Sequence, residues 1–106
     1  MNLPPIIQTY ITASNAHDVE AIVACFDDHA VVRDENAMQQ GKTKIRRWVT
    51  ETIEKYKFQF EPVSVSGKEP EFVVAIEVSG TFPGSPVTPD YRFLVENDNI
   101  LSLTID

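Results

Sequence analysis

A single cysteine, Cys25, leaves the chain no disulfide framework on which to build a fold. With only two histidines beside it there is no spaced ligand set of the C-x-x-C kind, so neither a metal nor a cofactor is expected. Positive charge is also scarce: 9 Lys and Arg stand against 16 Asp and Glu, for a net charge of −7. Such a surface repels polyanions, which argues against nucleic acid and anionic membrane as partners. No glycine-rich phosphate loop occurs, and no apolar run approaches the length of a membrane span. The start, Met1-Asn2-Leu3-Pro4-Pro5, has no basic region leading into an apolar one, so a soluble, cytoplasmic protein is expected.

What is present is ordinary globular material, 42% hydrophobic and 24% charged over 106 residues, enough for one core and too little for two. One domain spanning 1–106 is therefore expected. Pro4-Pro5 suits a first helical turn, and Leu3, Ile6, Ile7, Tyr10 and Ile11 recur at helical spacing toward Asn15. Asp18 is placed to cap a second helix with Val19, Ile22, Val23 and Phe26 on one face, ended by Asp27-Asp28-His29. Cys25 falls within that apolar pattern, where a buried, inert thiol is expected. Ala30–Asp34 reads as a short strand, Glu35–Gly41 as a polar loop, and a third helix opens near Thr43 with Ile45, Trp48, Val49, Thr52, Ile53 and Tyr56 as its stripe. The basic residues Lys42, Lys44, Arg46 and Arg47 at its start read as a solvated face.

From Lys57 the period becomes two. Phe58 and Phe60, then Val63 and Val65, then Phe72, Val74, Ile76 and Val78 alternate with more polar neighbours, with a turn at Gly67–Pro70. Gly80–Pro89 reads as an irregular crossing. Tyr91, Phe93 and Val95 form a further strand, Asn97-Asp98-Asn99 a hairpin turn, and Leu101, Leu103 and Ile105 the last strand. Helices first and strands afterward give an α+β fold with a mostly antiparallel sheet, since parallel pairing needs crossover connections. Several strands are apolar on both faces, as in Phe72-Val73-Val74-Ala75-Ile76, and a homodimer through the sheet is expected.

Three strings carry a family resemblance. Tyr10-Ile11-Thr12-Ala13-Ser14-Asn15-Ala16-His17-Asp18, Phe26-Asp27-Asp28-His29-Ala30-Val31-Val32-Arg33-Asp34 and Gly41-Lys42-Thr43-Lys44-Ile45-Arg46-Arg47-Trp48 are similar to the end of helix one, the passage into the first strand and the start of helix three in the nuclear transport factor 2-like superfamily. Within it, they resemble SnoaL-like and ketosteroid-isomerase-like proteins. The segment Gly80–Pro86 and the stretch from Tyr91-Arg92-Phe93 to Leu103 also resemble SnoaL-like sequences. The resemblance implies a cone-shaped α+β barrel, three N-terminal helices packed on a curved sheet around an apolar, ligand-sized pocket. It implies no single activity, because isomerases, cyclases, hydrolases, dehydratases and non-catalytic modules share that architecture.

In the isomerase branch a tyrosine and a protonated aspartate donate hydrogen bonds to a developing oxyanion while a second aspartate moves the proton. By the matching strings, Tyr10 takes the tyrosine role and Asp34 the base role. Each residue also has a plainer reading: Tyr10 as a core tyrosine, Asp34 as a turn-forming carboxylate at a strand end. The third residue, the acidic donor, has no single equivalent. Counting back from Ile100 selects Asp90, whereas aligning the aromatic alternation of Tyr91-Arg92-Phe93 selects Pro89 and turns Asp90 and Arg92 outward. His17 and His29, at helix boundaries, read as surface groups. Trp48, Phe58, Phe60, Ile76, Phe93 and Leu103 are expected to wall the pocket. The functional expectation is a SnoaL-like small-molecule pocket protein that catalyses cofactor-free, isomerase- or cyclase-type proton transfer on a small apolar carbonyl compound; the alternative is a non-catalytic ligand-binding or dimerisation module of the same fold.

Overall fold

A computed structural model describes residues 1–106, with the element order α1 (Pro5–Asn15), α2 (Val19–Ala24), β1 (Phe26–Asp34), β2 (Ala37–Gln40), α3 (Lys42–Tyr56), β3 (Gln59–Lys68), β4 (Glu71–Ser79), β5 (Asp90–Glu96) and β6 (Asn99–Ile105). The strands form one six-stranded sheet in the order β2-β1-β6-β5-β4-β3. The α+β class expected from the sequence is present, as one six-stranded sheet with helices on it. No helix is long and apolar enough to cross a membrane.

Local chemistry explains most boundaries. Pro5 supplies the first turn of α1, where a missing N–H costs nothing. The Asp18 carboxylate caps α2 by accepting from the Ala21 N–H at 3.1 Å. Lys57, in the left-handed region at φ 48°, closes α3. The basic start of α3 is solvated, and two of its four cations are paired: Arg46 grips Glu20 through two hydrogen bonds of 2.9 and 3.0 Å, and Lys42 lies 3.6 Å from Asp28. That pairing ties α3 to α2 and to the start of β1.

Four details differ from the sequence reading. Helix α2 stops at Ala24, and Asp27, Asp28 and His29 lie inside β1, whose pairing with β6 shifts between Phe26 and Val31. A bulge lets Phe26, Ala30 and Val32 all reach the core while the polar triplet between them stays at the surface side. The supposed loop Glu35–Gly41 is a tight turn at Glu35-Asn36, both at positive φ, followed by the short edge strand β2. Polar residues conceal this strand because an edge strand has no need to bury both faces. Finally, β1 and β6 pair in parallel. The crossover that parallel pairing demands is the whole intervening chain, with α3 as its helical part.

The fourth difference concerns His17, expected at the surface. It is partly buried, at φ 52°, and its Nε2 donates to the Phe58 carbonyl at 2.7 Å while its ring meets Phe58 edge-on. Asn15 completes the clamp: Oδ1 accepts from the Phe60 N–H at 2.6 Å and Nδ2 donates to the Phe60 carbonyl at 3.0 Å. The end of α1 thus fixes the first residues of β3, whose N–H and C=O groups would otherwise have no strand partner on that side.

One face of the sheet holds the core. Val74 and Ile76 of β4, Tyr91, Phe93 and Val95 of β5, and Leu103 of β6 are buried against Ile7, Tyr10 and Ile11 of α1, Ile22 of α2, and Ile45 and Val49 of α3. Twenty buried residues make one continuous cluster. Burial of an aliphatic or aromatic side chain contributes about 1.5–3 kcal/mol each, which makes this cluster the chief source of stability.

Candidate functional site

At the end of the sheet where β1 and β6 finish and β3 and β5 begin, the helices and strands leave a cavity of about 190 Å³. Its position follows from period two. Asp34 continues the inward row Ala30-Val32 of β1, Ile105 the row of Leu103, Val78 the row of Val74-Ile76, and Tyr91 begins the inward row of β5. Tyr10 and Ser14 enter from α1, and Trp48, Val49 and Thr52 from α3.

Of the residues expected on sequence grounds, Tyr10, Asp34, Trp48, Phe58 and Phe60 line this cavity. Ile76, Phe93 and Leu103 do not. They lie in the same inward rows but one alternation deeper, sealed in the core at 0%, 2% and 0% exposure. Phe93 packs edge-on against Tyr10 with ring centroids 5.6 Å apart, and so supports the lining without touching the space. Alternation reveals which way a side chain points but not at which strand end the layers part.

Asp34 is the focus of the polar chemistry. Its Oδ2 accepts from the Trp48 indole N–H at 3.1 Å. Burial pushes its pKa up, the Trp48 hydrogen bond opposes that rise, and the neighbouring Glu35 charge adds to it. No Lys, Arg or His lines the cavity. The carboxylate is therefore held in place without a cation to neutralise it, the condition that makes a carboxylate a better base than it is in water.

Two phenols share the inner end. Tyr10 is 2% exposed and Tyr91 5%. Both pack on Phe60, at centroid separations of 6.3 and 5.5 Å. Burial raises the pKa of each well above the ordinary tyrosine value; Ser14, one turn along α1, lowers that of Tyr10, and the Asp34 charge raises both. Each hydroxyl consequently stays protonated, with one O–H to donate and an oxygen that can accept. Asp90, by contrast, points outward to pair with Arg92 at 3.6 Å, as the aromatic alternation of β5 requires.

The outer end is formed by Glu35, Tyr56 and the crossing from Gly80 to Pro89, none of which the sequence marked as functional. The Tyr56 hydroxyl donates to Glu35, and its ring meets Phe82 edge-on at 5.5 Å. A side chain at Gly80 would collide with the Tyr56 carbonyl, so glycine alone lets the crossing pass this close to the end of α3. The Thr81 N–H then donates to that carbonyl at 2.8 Å. Tyr56 was legible as part of the α3 stripe and Tyr91 as an inward strand residue. Phe82, Val87 and Pro89 carry no periodic signal, because a crossing has no period.

The family model of the SnoaL-like domain matches residues 7–98. Among solved structures, a candidate polyketide cyclase from Sinorhizobium meliloti is 36% identical, with a TM-score of 0.94 over 98% of this chain and 95% of that one. A protein of ketosteroid isomerase-like fold from Catenulispora acidiphila, in complex with trimethylamine, superposes with a TM-score of 0.85 at 14% identity over 99% and 86% of the two chains. An epoxide hydrolase/cyclase-like enzyme of pyran ring formation in the polyether salinomycin gives 0.83 at 20% identity over 94% and 85%. The latter two likenesses speak for the fold alone. No curated protein matches the chain.

Proposed function

The chain belongs to the SnoaL-like family, and from that premise we propose that its cavity takes a small, neutral, largely apolar carbonyl compound and moves a proton on it without a cofactor. The observation that carries this reading is Asp34: a carboxylate fixed by Trp48, raised in pKa by burial, and facing a cavity that has no cation in its lining. Asp34 acts as the base and Tyr10 as the hydrogen-bond donor. The carboxylate removes a proton from the carbon next to the carbonyl. The C–H electron pair becomes a carbon–carbon double bond, the carbonyl π pair moves to oxygen, and Tyr10 donates to that oxygen as it becomes negative.

Two outcomes then balance. Asp34 can return the proton to another carbon of the same enolate, which is an isomerisation. Alternatively, the enolate carbon can attack a second carbonyl of the same molecule and close a ring, the new alkoxide taking the proton back from Asp34. The likeness to a candidate polyketide cyclase supports the second. Glu35 at the mouth and Asp34 within disfavour ligands bearing carboxylate or phosphate.

The competing reading, a non-catalytic module in a cone-shaped barrel that only binds its ligand, draws on the outward turn of Asp90, which leaves the cavity without an equivalent of the isomerases' protonated aspartate. One experiment separates the two: 1-indanone is added in heavy water, the melting temperature is followed, and the recovered ketone is weighed by mass spectrometry. A higher melting temperature with solvent deuterium gained faster than in buffer supports catalysis. A higher melting temperature with no gain over buffer supports the binding module, and no effect on either overturns both. The partly buried apolar groups Val73 and Leu94 on the outer sheet face, with Val63 at 53% exposure, support homodimerisation there. A monomer at micromolar concentration in analytical ultracentrifugation would contradict that association.

A further inference from the structure

A carbonyl oxygen has two lone pairs, and Tyr10 can satisfy only one of them. We propose that Tyr91 donates the second hydrogen bond to the ligand's carbonyl oxygen, so that two phenols on opposite elements, α1 and β5, form the oxyanion site. This assignment rests on the carbonyl reading of the same cavity.

Tyr91 lines the cavity, its side chain is almost wholly buried, and no group of the chain hydrogen-bonds its hydroxyl. No sealed side-chain polar atom in the structure lacks a partner, so this unpartnered hydroxyl is one that the cavity can reach. Its ring and that of Tyr10 both rest on Phe60, and both tyrosines also pack against Phe93, at 6.3 Å for Tyr91 and 5.6 Å for Tyr10. The four rings hold the two phenols on one side of the space, and the chain supplies no acceptor to Tyr91. A ligand oxygen is the acceptor that fits.

Electrostatics agree. The charge on Asp34 raises the pKa of both tyrosines, and Tyr10 raises that of Tyr91. Both hydroxyls therefore remain donors over the whole working range of pH. When Asp34 takes the proton its charge disappears and an equal charge appears on the enolate oxygen between the phenols, so the total charge of the cavity is unchanged while its location moves to the donors. Tyr91 thus occupies the part for which the sequence offers no acid: the carboxylate one residue earlier, Asp90, faces outward to Arg92.

The test uses 1-indanone labelled with ¹³C at the carbonyl, bound to the unmodified chain and to Tyr91→Phe and Tyr10→Phe, with the carbonyl stretch read by infrared difference spectroscopy. Two hydrogen bonds lower the stretch relative to one. The band is expected at lowest wavenumber in the unmodified chain, higher in each single variant, and highest in the double variant. Tyr91→Phe removes a hydroxyl with no partner in the chain, so its melting temperature without ligand should match that of the unmodified chain. A band left unmoved by Tyr91→Phe but shifted by Tyr10→Phe would overturn this assignment and leave the carbonyl reading intact. Failure of the ketone to bind the unmodified chain would overturn both.

Discussion

Replacing Trp48 by Phe removes one donor and keeps an aromatic ring in place, which makes it a clean probe of what holds Asp34. The lost interaction is a 3.1 Å hydrogen bond from the indole N–H to the carboxylate. Hydrogen bonds to charged groups contribute about 1.5–3 kcal/mol, and because Asp34 is only partly buried, solvent screening puts this one at the lower end, about 1.5 kcal/mol. With Asp34 protonated, the same contact is an ordinary neutral one worth about 0.5 kcal/mol. The variant should therefore be penalised by about 1 kcal/mol more where Asp34 is charged than where it is neutral, equivalent to about 4–8 °C in melting temperature for a domain of this size.

The sign follows from linkage. Burial raises the folded-state pKa of Asp34 above its unfolded value, so its contribution to stability is full below the unfolded pKa and is lost as pH rises through the folded one. Trp48 limits that loss by favouring the charged form. Without it the Asp34 pKa rises further and the loss deepens. The assay is thermal unfolding of both proteins across pH, together with ¹³C NMR titration of the Asp34 carboxyl carbon. Packing changes from the smaller ring are common to all pH values and cancel in the comparison. A melting-temperature difference independent of pH, or a titration midpoint that stays put or falls in Trp48→Phe, would show that Trp48 does not stabilise the charged carboxylate.

Three further outcomes follow from the same structure. Asp34→Asn removes a desolvated charge, so it should melt higher than the unmodified chain at neutral pH, with the advantage fading as acid protonates Asp34; a constant difference across pH would contradict the burial argument. Asn15→Ala leaves the Phe60 N–H and C=O without their side-chain partners and should cost about 2 kcal/mol in urea unfolding, whereas a surface asparagine would cost almost nothing. Asp18→Ala deletes the cap of α2 and should cost about 1 kcal/mol in the same assay, with rescue by Asp18→Ser.

The helices and inward rows were legible because each has a period, and period alone turns Asp34 and Tyr91 toward the interior. Depth along a row was not legible. Ile76, Phe93 and Leu103 obey the same alternation as Val78, Tyr91 and Ile105, yet the former are core and the latter cavity wall, since only the packing of α3 and the 80–89 crossing decides where the layers separate. The parallel pairing of β1 with β6 was hidden for a related reason: it joins residues about seventy positions apart, and no local pattern reports so distant a partner. His17 illustrates a third limit. Its clamp on the Phe58 carbonyl depends on a positive φ that few non-glycine residues adopt, and on a partner 41 positions away that no local pattern reports.

Whether Asp34 moves a proton on a carbonyl compound held in this cavity is decided by the rate at which 1-indanone gains solvent deuterium, measured against pH for the unmodified chain and for Asp34→Asn. Catalysis in the unmodified chain should rise with pH along a limb displaced upward from that of a free aspartate, as the raised pKa of Asp34 requires, and fall about 10²–10⁴-fold in Asp34→Asn. Exchange that is equally fast in Asp34→Asn, or that matches the buffer rate with the ketone bound to the unmodified chain, would contradict it.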